Sequence, residues 1–154
     1  MNKKKPKVLF ISSSGGHFEQ LKMLKPLMDK YDSIIITEKM LSAGKADYYM
    51  IQISHTDKLV FFKLLADMLK AIMIWIKEKP EYVISTGSMI FLPFAFLARV
   101  TKKKIVFIET FATLNNGTLT GNFIYKHRWA DLFIIQWESL RSVYPEAVYG
   151  GSIY

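Results

Sequence analysis

Apolar residues in this chain come in short solid runs. Val8-Leu9-Phe10-Ile11, Ile34-Ile35-Ile36, Val83-Ile84, Ile105-Val106-Phe107-Ile108 and Leu132-Phe133-Ile134-Ile135 are each too short for a helix. They lack the apolar–polar alternation of a strand with one wet face, so they predict short strands covered on both sides. Strands are expected over Lys7–Ser12, Ser33–Thr37, Tyr49–Ile53, Tyr82–Ser85, Ile105–Glu109 and Leu132–Gln136, with a last extended piece from Val148. Between them, helical spacing predicts helices over His17–Lys30, Thr56–Lys79 (stopped by Pro80), Ile90–Val100 and Phe123–Trp129, and a final turn over Glu138–Tyr144. Glu38–Tyr48 and Phe111–Asn122 read as loops, Thr86-Gly87-Ser88 as a turn. Strand–helix alternation throughout implies an α/β fold, a doubly wound, mostly parallel, Rossmann-like sheet with right-handed crossovers, in one domain over residues 1–154.

The helix around Leu59–Ile76 departs from a plain sheet-covering helix. Its polar residues Lys63, Asp67, Lys70 and Lys77 fall on one narrow stripe, and nearly everything else is apolar. Charges in its middle argue against a membrane span. The excess predicts a second interface, a patch of Phe61, Phe62, Met68 and Trp75 joined by Phe91 and Phe94 of the next helix. Flanking lysines suit an anionic membrane surface; burial by neighbouring elements or by a subunit interface is the other reading.

With 51% apolar residues the 154-residue chain can build a core. It has no cysteine, and its histidines stand at 17, 55 and 127, so neither a disulfide framework nor a metal site is expected, and no cofactor is implied. No signal peptide precedes the first strand, which reads as cytosolic. Lysine and arginine outnumber aspartate and glutamate 21 to 13, a net charge of +8 that favours an anionic partner. The basic clusters, at Lys3–Lys7, Lys22/Lys25/Lys30, Lys77/Lys79 and Arg99/Lys102–Lys104, lack the arginine-rich, aromatic-interleaved look of a nucleic-acid reader.

Candidate chemistry gathers at the carboxyl ends of the predicted strands, where such sheets bind ligands. Ser12-Ser13-Ser14-Gly15-Gly16-His17 joins the first strand to the first helix. Glycines there would let a phosphate reach the backbone N–H groups of a helix start. The turn is neither a Walker A loop nor Gly-x-Gly-x-x-Gly, and a steric role remains the alternative. His17 would face a bound anion, or water. Thr86–Ser88 and the polar loop after Glu109 share this rim.

Ser-Ser-Ser-Gly-Gly-His17-Phe-Glu19-Gln20-Leu21 resembles the N-terminal glycine loop of the GT-B glycosyltransferases, which have two Rossmann-like halves. Glu109-Thr110-Phe111-Ala112, Thr118-Leu119-Thr120-Gly121 and Ala130-Asp131-Leu132-Phe133-Ile134-Ile135-Gln136-Trp137 are similar to segments of half-length members. These resemble the membrane-anchoring subunit of the two-part UDP-GlcNAc transferase of N-glycan assembly, and bacterial relatives occur in capsule and exopolysaccharide clusters. Two departures stand out: Thr113 replaces a basic residue, and the first strand begins where eukaryotic relatives carry an anchoring helix, so attachment would be peripheral.

The resemblance implies an acceptor-binding subunit, inactive alone, at the cytoplasmic face of the cell membrane. A separate subunit would bind the UDP-sugar, and the chain's end near Tyr149–Tyr154 resembles the junction with that half. The acceptor would be a polyprenyl-diphosphate-linked sugar. Ser14, Gly15, Gly16, Gly87 and Ser88 would hold its diphosphate, with His17 as a cationic contact favoured by the anion. Glu109 would orient the acceptor hydroxyl or act as general base, or else cap the following turn; which of the two chains holds the base stays open. Asn115 and Asn116 would meet acceptor sugar hydroxyls, or simply form the turn, and Asp131 would brace structure. A stand-alone nucleotide- or phosphate-binding Rossmann-like protein is the alternative.

Overall fold

Val8, Leu9, Phe10 and Ile11 are all essentially inaccessible to solvent. They form β1 (Lys7–Ile11), an interior strand of a seven-stranded sheet. The computed structural model describes residues 5–39, 45–52 and 59–153. After β1 come α1 (Gly16–Met23), α2 (Lys25–Met28), β2 (Asp32–Glu38), β3 (Tyr48–Met50), α3 (Val60–Glu78), β4 (Tyr82–Ser85) and α4 (Phe91–Val100). β5 (Lys104–Ile108), α5 (Leu119–Lys126), β6 (Leu132–Ile135), a 3-10 turn over Glu138–Ser142 and β7 (Val148–Tyr149) complete the chain. The order is β3-β2-β1-β4-β5-β6-β7 and every pairing is parallel, the doubly wound Rossmann-like sheet expected. The order reverses between β1 and β4, where Val8 lies beside Tyr82. That reversal opens a crevice at the carboxyl edge of the sheet.

Side chains alternate across the sheet into two cores. Leu9, Ile11 and Phe107 face α3, α4 and α5 through Ala71, Ile74, Phe91, Phe94 and Ile124. Val8 and Phe10 face α1 and α2 through Phe18, Leu21 and Met28. On this second face the helices cover only part of the sheet. Val106, Leu132 and Ile134 line an apolar groove of about 550 Å³, closed on one side by Leu24, Leu27 and Tyr31.

The first helix is divided at Leu24. Pro26 has no N–H to donate to Lys22, so the chain takes a tighter turn there and restarts with Pro26 inside the first turn of α2. α5 begins four residues before the expected Phe123. Thr118 caps it by accepting from the Gly121 N–H at 2.9 Å, which brings a segment read as loop into the helix. Ile53 and residues 56–58, placed by sequence in the third strand and long helix, lie outside the described residues.

α3 carries its polarity inside out. Its polar stripe faces the protein: Lys63 Nζ donates to the Gln52 carbonyl, Asp67 Oδ1 accepts from the Ile51 N–H at 2.9 Å, and Lys70 Nζ donates to the Tyr49 carbonyl. These bonds satisfy the backbone of β3 and the residues that follow it, at a sheet edge. Phe61, Phe62, Leu65, Leu69, Met73 and Ile76 point outward, between 51% and 70% exposed. The expected patch is therefore corrected. Trp75, Phe91 and Phe94 are buried in the core, Phe91 against Phe107, because α4 and the Ala71–Ile74–Trp75 side of α3 cover the sheet. Met68 is half-buried, and only Phe61 and Phe62 of the named six are open.

Candidate functional site

β1 ends in Ser12, whose N–H continues the ladder to the Ile36 carbonyl, and the chain then turns at Gly15. Gly15 has φ +77°, a left-handed conformation that favours glycine, and its carbonyl accepts from Phe18 and Glu19 to start α1. Gly16 has no such conformational need. A Cβ built on it meets nothing within 4 Å, so no packing inside the chain accounts for glycine there. The N–H groups opening α1 have no acceptor within the helix and lie on this open side, where the helix dipole favours an anion.

The turn after β4 closes on this one. Thr86 Oγ1 donates to the His17 carbonyl at 2.8 Å, and His17 Nδ1 donates to the Thr86 carbonyl at 2.8 Å. A carbonyl only accepts, so Nδ1 carries a proton and Nε2 is the atom left for a ligand. Gly87, at φ +97°, passes so close that a Cβ would sit 3.2 Å from the imidazole. Sequence-predicted Ser14, Gly15, Gly16, His17, Gly87 and Ser88 thus come together from two crossovers. Ser14, His17 and Ser88 line a cleft of about 420 Å³ with Ser13, Glu38, Gln52, Met89, Thr118, Leu119 and Thr120.

Glu38 is the ionisable lining residue that sequence reasoning missed, along with the uncharged Gln52, Met89, Thr118, Leu119 and Thr120. Glu38 ends β2 and is only 6% exposed, yet among the described residues no cation pairs with it: Ser14 Oγ donates to it at 3.4 Å. Burial pushes its carboxyl up from the ordinary range, and the nearby Asp67 carboxylate adds to this, against the Ser14 hydrogen bonds. The signal available in sequence was its place at the carboxyl end of a strand next to the switch point.

Glu109 stands at the end of β5 as expected, and its bonds match the turn-capping alternative. It is fully buried at the end of β5, and donors surround its carboxylate. Oε1 accepts from the Thr110 N–H at 2.9 Å and Thr118 Oγ1 at 3.0 Å; Oε2 accepts from the Thr118 N–H at 3.2 Å and Tyr144 OH at 2.8 Å. Burial, then the Glu109 charge and hydrogen bond, push the Tyr144 phenol far up, so it stays a donor. Glu109 therefore braces the loop leading to α5 and is closed to solvent. Asn115 and Asn116 lie exposed on that loop. A buried amide pair seats the loop on α1: Gln136 Nε2 donates to Gln20 Oε1 at 2.9 Å and to the Glu109 carbonyl at 2.9 Å, and Gln20 Nε2 donates to Thr110 Oγ1 at 3.1 Å. Asp131 braces β5, accepting from the Ile105 N–H and pairing with Lys104 at 2.7 Å. Among the described residues no helix is long and apolar enough to cross a membrane.

A family model described as "Oligosaccharide biosynthesis protein Alg14 like" matches residues 52–153. The human protein named UDP-N-acetylglucosamine transferase subunit ALG14 is 24% identical over 179 residues, covering 95% of this chain and 82% of that one. Among solved structures, UDP-N-acetylglucosamine 2-epimerase from Rickettsia bellii superposes with a TM-score of 0.72 at 17% identity, covering 97% of this chain and 45% of that chain. MurG from Acinetobacter baumannii superposes at 0.65 and 14% identity, covering 87% and 42%. The chain thus spans less than half the length of the two solved structures, whose likeness shows the fold.

Proposed function

The chain belongs to the Alg14-like family of oligosaccharide biosynthesis proteins, and on that premise we propose that it is the acceptor-side subunit of a two-part UDP-sugar transferase. It binds a polyprenyl-diphosphate-linked sugar, at the cytoplasmic face of a membrane, and a separate subunit brings the UDP-sugar. The product is an oligosaccharide precursor, of the kind used for capsule or exopolysaccharide.

One observation carries this reading. Two glycine turns meet at the β1/β4 reversal, and Gly16 is open to a ligand rather than fitted to the chain. The start of α1 and His17 Nε2 take the diphosphate, with Ser14, Gly15, Gly87 and Ser88 shaping its seat. The hydroxyl- and amide-rich wall of Ser13, Gln52, Thr118 and Thr120 suits a sugar. The outward apolar face of α3, beside α4 with its exposed Arg99, rests on the lipid surface that holds the polyprenyl chain.

The test is co-expression with a UDP-sugar-binding subunit and a transfer assay from UDP-GlcNAc to a polyprenyl-diphosphate sugar. The two chains are expected to co-purify and transfer together, with no transfer by either alone. Efficient transfer by this chain alone overturns the two-part reading.

A further inference from the structure

Glycosyl transfer to a hydroxyl needs a proton acceptor at that hydroxyl. Two glutamates stand at the carboxyl ends of strands in this sheet, and the structure separates them. Glu109 is enclosed by Thr110, Thr118 and Tyr144. Glu38 is on the wall of the cleft, beside the Ser14 end of the turn that would seat a diphosphate.

Resting on the acceptor-side reading above, we propose that Glu38 is the general base that takes the proton from the acceptor sugar hydroxyl. The acceptor oxygen forms its bond to the anomeric carbon of a nucleoside-diphosphate sugar held by the partner. The bond from that carbon to the diphosphate breaks, its electron pair leaving with the nucleoside diphosphate, and the hydroxyl proton passes to Glu38.

The surroundings of Glu38 fit a base rather than a structural carboxylate. It is nearly buried and pairs with no cation among the described residues; the Ser14 hydroxyl donates to it at 3.4 Å. An arrangement of that kind costs stability, and carboxyls so perturbed in a cleft cluster at functional sites. The charged groups around it come from two helices. On α3, Asp67 repels it, and Lys70 is drawn to Asp67 and donates to the Tyr49 carbonyl. On α1, His17 lines the same cleft with its Nδ1 committed to Thr86. Burial and Asp67 raise the carboxyl toward neutrality, which makes it a better base than a free carboxylate. No lysine or arginine lines the cleft among the described residues, so nothing there quenches its charge.

The experiment uses the purified two-chain complex with UDP-GlcNAc and a polyprenyl-diphosphate sugar. Glu38→Gln is expected to keep its melting temperature and acceptor KM within about threefold and to lower kcat by about 10²- to 10⁴-fold. The acid limb of the wild-type kcat–pH profile is expected to vanish with it. Glu38→Asp keeps the charge with one methylene less reach, so kcat falls less and the acid limb persists. In Glu38→Ala, added formate is expected to restore part of the rate. If the Gln variant does not fold, the Asp profile and formate rescue decide. A Gln variant with kcat within threefold of wild type, a loss confined to KM, or absence of both the Asp limb and formate rescue overturns the assignment of Glu38 alone. A wild-type complex that transfers nothing overturns the acceptor-side reading, and this proposal with it.

Discussion

Thr86 and His17 hold each other by two hydrogen bonds, hydroxyl to carbonyl and imidazole to carbonyl, each 2.8 Å long. The start of α1 is therefore fixed to the end of β4, and the two glycines beside this tie answer to different demands.

Gly16→Val is expected to leave stability within about 1 kcal/mol, since a Cβ there meets nothing within 4 Å, while abolishing transfer by the complex. Gly87→Ala is expected to lose about 1–3 kcal/mol, because its φ of +97° strains a side chain that would also press on His17. His17→Ala should lower activity in a folded domain. Denaturant melts paired with transfer assays check all three; full activity in Gly16→Val and His17→Ala would show the turn to be only structural.

Tyr144→Phe removes one donor from a buried carboxylate and is expected to cost about 1–3 kcal/mol. Gly121→Ala strikes the same group harder, since its Cβ would fall 1.9 Å from Glu109 Oε2. Both variants are expected to lower the midpoint of urea unfolding and to expose the Phe111–Thr118 loop to protease. Unchanged midpoints would mean that Glu109 does not brace the loop.

Binding to anionic vesicles is expected to weaken with salt and with Phe61→Asp or Met73→Asp, whose side chains point outward from α3. Trp75→Asp, which places a charge in the core, is expected to unfold the domain instead. Vesicle sedimentation with circular dichroism on each variant separates the two effects. Equal sedimentation of wild type and the two outward variants would remove α3 from the membrane surface.

Asp67 is fully buried with Oδ2 unpartnered, and burial, its largest influence, raises its carboxyl. A carboxyl raised above its unfolded value favours the folded state increasingly as pH falls through the folded value, and burdens it above that. Asp67→Asn keeps an acceptor for the Ile51 N–H. It is expected to be more stable than wild type at pH 7 and to lose the stabilisation that this group contributes between pH 7 and its ordinary range near 4. Urea midpoints across that interval, for the two proteins, provide the comparison.

The inner strands were legible because β1, β2, β4, β5 and β6 each carry a solid apolar run. Tyr82–Ser85 matches residue for residue, and Asp131 braces β5 as read. The glycine turns were legible as sequence and as place. What escaped lies in long-range hydrogen bonding. The stripe of Lys63, Asp67 and Lys70 was legible as a stripe but its direction was not, because its partners are backbone groups of an edge strand and the residues after it. Phe91 and Phe94 share the apolar excess of Phe61 and Phe62, and periodicity alone does not distinguish a face that meets the sheet from one that meets solvent. Glu109 looked reactive from its rim position, while its donors come from residues nine and thirty-five positions away. The Thr118 cap was hidden by Gly121, which reads as a breaker.

The reversal between β1 and β4 also governs when the cleft comes into existence. Val8 pairs with Tyr82, so the centre of the sheet closes only after α1, β2, β3 and α3 have been spanned by the chain. Loop-closure entropy makes such a pairing late and slow, and no local contact substitutes for it. During synthesis the glycine turn emerges first but stays unfixed until Thr86 has left the ribosome. Ligand-binding competence and the central strand pairing should then arrive in one kinetic phase of refolding.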